Sequence, residues 1–131
     1  MIVVDTNIVA YLCLEQEFTV HAEAQLTIGP DWVAPVLWRS EFRYTLAGII
    51  CRKMLTFDEA RRVLAEGESL LAAGEHEVGS PQVLEIVRDS ERSAYDCEFI
   101  ALALQLNVKR VIMDGKLLKT FPKLAGPLPA V

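Results

Sequence analysis

Four acidic residues sit where chemistry could use them. Asp5 closes the apolar run Ile2-Val3-Val4, and Asp114 closes Val111-Ile112-Met113. Glu41 lies in a long amphipathic stretch, four residues after Leu37 and three after Trp38, which sets it beside the packed face rather than toward solvent. Asp96 follows Ser93 by three residues and opens a strongly apolar segment. Each acid has a plainer reading. Asp5 and Asp114 can cap helices or close turns, and Asp96 suits the positive end of a helix dipole. Glu41, costly to half-bury as a lone charge, can pair with an arginine. Together the four form a set of hard oxygen donors of the kind that Mg²⁺ or Mn²⁺ takes, provided that the fold brings them together. Thr6, beside Asp5, adds a hydroxyl.

The elements that must position them can be read along the chain. Residues 2–5 form a continuous apolar run ending in an acid, which suits a strand covered on both faces. Helices are predicted over 7–14 and 19–28, the second closed by Gly29-Pro30, and 31–35 reads as a second strand. Leu37, Trp38, Phe42, Leu46, Ile49 and Ile50 recur near helical spacing across a long helix over 36–54. Thr56 and Glu59 make a capping box for a helix running to Ala73, where Gly74 stops it. A strand over 75–79 is expected next. Ser80 as N-cap and Pro81 at the first helical position then begin another helix. Ser93 and Asp96 form a capping-box-like pair ahead of a helix ending near Asn107. A strand over 109–113, a short helix over 115–121 and a Pro/Gly-rich tail able to add an edge strand complete the chain. Strands alternating with helices predict a single α/β domain over residues 1–131, with a mainly parallel central sheet and helices on both faces. Ligands of such sheets bind beyond the carboxyl ends of the strands, the end at which Asp5 and Asp114 fall.

Composition narrows the function. The chain has 131 residues, enough for one domain with one core, and 52% of them are hydrophobic against 24% charged. Its longest apolar run, from Ile8 to Leu14, is far short of the roughly 20 residues that span a bilayer. No basic leader precedes Asp5, so a cytoplasmic protein without a membrane partner is expected. Cys13, Cys51 and Cys97 cannot all pair and contain no C-x-x-C, which reads as reduced and mostly packed thiols. His21 and His76 have no neighbours at zinc-ligand spacing. A net charge of −5 argues against holding nucleic acid by bulk charge, but not against acids gathered around a cation, which reverses the local sign. The long helix runs against the acidic whole, with Arg39, Arg43, Arg52 and Lys53 against Glu41 alone. Arg39 and Arg43, four apart, read either as a solvated face or as a surface for RNA phosphates.

The four acidic blocks resemble those of PIN-domain nucleases. Residues 1–8, Met-Ile-Val-Val-Asp-Thr-Asn-Ile, are similar to that family's opening. Trp38-Arg-Ser-Glu41 and Tyr95-Asp96-Cys-Glu-Phe-Ile-Ala-Leu-Ala103 resemble its second and third acidic blocks, and Asp114-Gly-Lys-Leu117 its last. Any one block is common, but the ordered set, spanning nearly the whole chain, is specific. The resemblance extends to VapC-type toxins of toxin–antitoxin pairs. It implies a Mg²⁺- or Mn²⁺-dependent endoribonuclease with Asp5, Asp96 and Asp114 as ligands and Glu41 bridging a second ion or orienting water. Thr6 would support them. It also implies a homodimer and a small antitoxin partner that blocks the site.

One position departs from the family, which usually carries threonine or serine two residues before the last acid, where this chain has Ile112. A lost hydroxyl weakens support for a metal. It favours a rival reading, a PIN-fold module with an impaired site that binds RNA or a protein partner. Two other classes fit less well. A phosphatase using Asp5 as nucleophile would want an acid two residues on, where Asn7 stands, and a receiver domain would want paired acids after the first strand.

Overall fold

A computed structural model describes residues 1–113, 115 and 117–131; Asp114 and Lys116 lie outside the described residues. The chain opens with β1 (Ile2–Val4), α1 (Thr6–Cys13), α2 (Thr19–Ile28) and β2 (Trp32–Pro35). It continues through α3 (Trp38–Cys51), α4 (Phe57–Leu70), β3 (Glu75–His76) and α5 (Ser80–Ser90). Last come α6 (Ala94–Gln105), β4 (Val111–Ile112), α7 (Leu117–Thr120) and β5 (Ala125–Gly126).

The strands form one sheet in the order β3-β2-β1-β4-β5, and every pairing is parallel. β1 is central, with Ile2 opposite Trp32 on one side and Val4 opposite Ile112 on the other. Successive side chains of a strand point to opposite faces, so the full burial of both Val3 and Val4 means that both faces are covered. α6 packs across β1, β2 and β4 with α5 outside it, while α1, α3 and α4 pack on one another. The core is built on Trp38, Phe42, Phe99, Leu102, Ile112 and Met113, all buried, and Trp32 joins them. The chain runs from β1 outward to β2 and β3, then returns to the other side of β1 for β4 and β5. The order of the strands therefore reverses between β1 and β4, which opens a crevice at their carboxyl ends.

Local chemistry accounts for most element boundaries. Thr56 and Glu59 complete the predicted capping box of α4. α4 ends ahead of Gly74, where a Cβ would fall on the Trp32 carbonyl oxygen; only glycine lets the chain come this close to β2. β3 is shorter than expected because it meets only β2, at Ala34–Glu75 and Pro35–His76, and then leaves the sheet edge. α5 starts one residue earlier than Ser80 predicts, with Gly79 at the N-cap and no side-chain cap bond. Pro81 then falls within the first turn, where a missing N–H costs nothing. β4 and α7 are likewise shorter than predicted, and the tail adds β5 beside β4.

The cysteines depart in part from expectation. Cys97 is buried and Cys13 half-buried, with burial pushing the Cys13 thiol up to about 11, but Cys51 is exposed at the end of α3. Among the described residues no helix is long and apolar enough to cross a membrane.

Candidate active site

Asp5 follows β1 directly and caps α1. Its backbone is extended, and its carboxylate accepts from the Asn7 amide at 3.4 Å. Its own amide donates to the Ile112 carbonyl at 3.0 Å, so the β1–β4 ladder carries one residue past the strand and fixes Asp5 at the crevice. The plainer reading, a helix cap, is present, and the same side chain also lines the cleft.

Glu41 reaches the same place from the first turn of α3. The Thr6 hydroxyl, buried at the start of α1, donates to Glu41 Oε1 at 2.7 Å. This bond ties α3 to α1. It gives Thr6 a defined task and leaves Glu41 paired with a hydroxyl, where sequence reasoning offered an arginine as the plain alternative. Asp96 arrives from α6. Ser93 accepts from the Asp96 amide at 3.1 Å, which is half of the expected box; the Asp96 carboxylate lines the cleft instead of returning to the cap.

The three acids line one open cleft of about 490 Å³, together with Thr6, Asn7, Tyr44, Thr45, Gly115 and Leu117. Asp114, the fourth acid, lies outside the described residues. Asn7, Tyr44 and Thr45 were not singled out from the sequence. For Tyr44 and Thr45 the signal was available, since they follow Glu41 by three and four residues and so share its helix face.

The electrostatics of the cleft are unfavourable as it stands. Burial, first, pushes the Glu41 carboxyl above its ordinary value; the Thr6 bond opposes this, and the charges of Asp96 and Glu98 add to it. Glu98, one residue beyond Cys97 on α6, is itself raised by burial. Neighbouring carboxylates in a half-buried cleft are the situation that a divalent cation relieves. The donors are oxygens, which suits Mg²⁺ or Mn²⁺ rather than zinc. Among the described residues no group of three His, Cys, Asp or Glu side chains is by itself arranged to hold a metal ion. Asp5, Asp96 and Glu41 fit such an ion by chemistry.

The two arginines are not brought into this cleft. Arg39 forms a fork on the Glu75 carboxylate, with Nη2 to Oε1 at 2.7 Å, and its Nη1 stands 3.2 Å from Glu68. Trp38 Nε1 donates to the same Glu75 carboxylate at 2.8 Å. Glu75 is held below the usual carboxylate range by Arg39. The guanidinium thus serves the joint between α3, α4 and β3, which weakens the expectation of a phosphate contact at Arg39. Arg43 is exposed and makes no ion pair with a described residue.

Neither histidine takes part. His21 Nδ1 lies 2.9 Å from the Pro129 carbonyl oxygen, and His76 belongs to β3 at the sheet edge. Ile112 is wholly buried, and its side chain is part of the core. What the site takes from it is the carbonyl that holds Asp5.

An all-parallel sheet with acids gathered beyond its central strands defines the class: an α/β domain with an acidic cleft at its topological switch point. More particularly, the chain belongs to the PIN domain family, whose model matches residues 2–123. No curated protein sequence matches it. Solved structures share its fold at low identity. FitAcB from Neisseria gonorrhoeae is 20% identical, with a TM-score of 0.67 over 95% of this chain and 96% of that one. FitAB bound to an IR36 DNA fragment is 18% identical, with a TM-score of 0.72 over 97% of this chain and 94% of that one. VapC20 of Mycobacterium tuberculosis, described as a sarcin-ricin loop cleaving toxin, is 18% identical, with a TM-score of 0.63 over 91% of this chain and 94% of that one.

Proposed function

We propose that the protein is a metal-dependent endoribonuclease, the toxin of a toxin–antitoxin pair acting in the cytoplasm. The observation that carries this reading is the meeting of Asp5, Glu41 and Asp96, from three separate elements, in one cleft of a PIN domain. The likeness to VapC20, described as a sarcin-ricin loop cleaving toxin, supports this reading. Asp5, Asp96 and Asp114 would hold Mg²⁺ or Mn²⁺. When bound, the ion supplies activation of water and neutralises charge developing on the phosphate.

The remaining work falls to the chain itself. Glu41, held by Thr6, would orient the attacking water or help to hold a second ion; the Thr6 bond supports this by fixing the carboxylate. Water attacks phosphorus, the bond to the leaving sugar oxygen breaks, and that oxygen takes up a proton. Burial raises the Glu41 carboxyl above its ordinary value, and its placement in the cleft suits it to take the proton that the attacking water gives up. By resemblance, the protein works as a homodimer and is held inactive by a small antitoxin over the cleft.

The test is cleavage of mixed tRNA and rRNA by purified, inhibitor-free protein with Mg²⁺, Mn²⁺ or EDTA, beside Asp5→Asn. We expect cutting that needs the metal and falls by about two orders of magnitude or more in the variant, a loss of ~3 kcal/mol in transition-state stabilisation. The variant's melting temperature should stay close to wild type. A folded wild type that cuts nothing under any metal would instead support the impaired, binding-only PIN module.

A further inference from the structure

The cleft has an affinity problem. Its walls are acidic, the whole chain carries a net charge of −5, and no cation lines the cleft among the described residues. Of the two arginines that flank Glu41 on α3, Arg39 is committed to Glu75 and Glu68, and Arg43 does not line the cleft. A polyanion brought here gains little from charge beyond what a metal supplies.

The cleft does offer an aromatic ring. Tyr44 lines it from α3, one turn beyond Glu41, and is 83% exposed. Its ring has no stacking partner and its hydroxyl no hydrogen bond among the described residues. Tyr95, 63% exposed, directly precedes Asp96 in the first turn of α6, so an exposed tyrosine accompanies a second of the acids. The chain has three tyrosines, and these are two of them. Neither contributes to the core, since Phe42 and Trp38 fill the inward face of α3 beside Tyr44.

We propose that Tyr44 is a substrate-positioning residue that stacks on an unpaired base next to the phosphate to be cut. This deepens the ribonuclease reading and rests on it. Stacking needs an accessible base face, which a single strand or loop presents and a duplex hides. It is indifferent to the sign of nearby charge and tolerant of base identity. It therefore supplies affinity where this acidic cleft cannot, and it makes unpaired RNA the substrate form that this chain selects.

The experiment measures binding of a fluorescein-labelled, unstructured short RNA and of a blunt RNA duplex of equal length. EDTA is present so that nothing is cut, and wild type, Tyr44→Phe and Tyr44→Ala are compared. Stacking on one base predicts that Tyr44→Ala binds the single strand roughly tenfold more weakly. Tyr44→Phe should match wild type, because the ring and not the hydroxyl acts, and duplex binding should be equal in all three. The position is exposed, so melting temperatures should agree.

Undiminished single-strand binding by Tyr44→Ala would overturn the proposal while leaving the ribonuclease reading intact. So would an equal loss in Tyr44→Phe, which would assign the effect to the hydroxyl, or an equal loss on duplex. A wild type that binds neither RNA would overturn this proposal, while the metal-dependent cleavage assay separately decides the reading beneath it.

Discussion

Glu41 is where the needs of folding and of the proposed catalysis conflict. Its carboxyl is raised chiefly by burial, so ionising it costs the folded chain more than the unfolded one. The stability this group contributes is present below the ordinary carboxyl value of about 4.5 and is lost as pH rises through its higher folded value. Glu41→Gln keeps an oxygen to accept from Thr6 and removes the charge. In metal-free protein we expect the variant to melt a few degrees above wild type at pH 7.5, with the two curves meeting below about pH 4.5. Parallel curves across that range would show that the charge is not held at a cost. Cleavage should be lost in the same variant. Much of this was legible beforehand. The spacing from Leu37 and Trp38 predicted a half-buried Glu41, and an acid after an apolar strand predicted Asp5 at the sheet mouth. Their partners were not legible: Thr6 meets Glu41 across 35 residues, and no local pattern encodes that bond.

At the scale of elements, the alternation of strands and helices carried the fold, and the strongest start signal, Thr56 with Glu59, held to the residue. The boundaries that differed are those decided by tertiary neighbours, such as β3, which lasts only as long as β2 lies beside it. Arg39 shows the same limit on the functional side. Its four-residue spacing from Arg43 suggested a phosphate surface, but Glu75, 36 residues on in a different element, takes its guanidinium. α3 has no side-chain cap of its own at Leu37, so Trp38 and Arg39, converging on Glu75, anchor the turn that carries Glu41. Glu75→Gln should cost about 1 kcal/mol at pH 7 in urea unfolding, since a partly exposed charge-assisted network, screened by solvent, loses its anion. Glu75 is held below its ordinary value, so its contribution is present above about 4.5 and is lost as pH falls through its lower folded value. The gap between wild type and variant should therefore close toward pH 3, opposite in sense to Glu41. A gap that stays constant would mean that hydrogen bonding, and not charge, supplies the stabilisation.

For the molecule as a whole, charge distribution would decide how the proposed RNA substrate is held. With a net charge of −5 and Arg39 paired with Glu75 and Glu68, α3 keeps Arg43 as its exposed, unpaired arginine near the cleft among the described residues. Arg43 lies two residues from Glu41, so it faces away from the cleft wall and can meet only a phosphate further along the strand. RNA binding should therefore weaken only gently with salt, with a log–log slope of about −1 to −2 where a basic nucleic-acid binder approaches −10. Arg43→Ala should flatten that slope by roughly 0.7, the value of one single-strand phosphate contact. Tyr44→Ala should lower affinity with the slope unchanged, because a stacked base releases no counterion. The two variants separate the two sources of affinity in one titration series. If Arg43→Ala leaves the slope where it was, that arginine is a solvated surface charge. On the proposed function, the strand would then be held by the cleft alone, through the metal that its acids would bind and the ring at its edge.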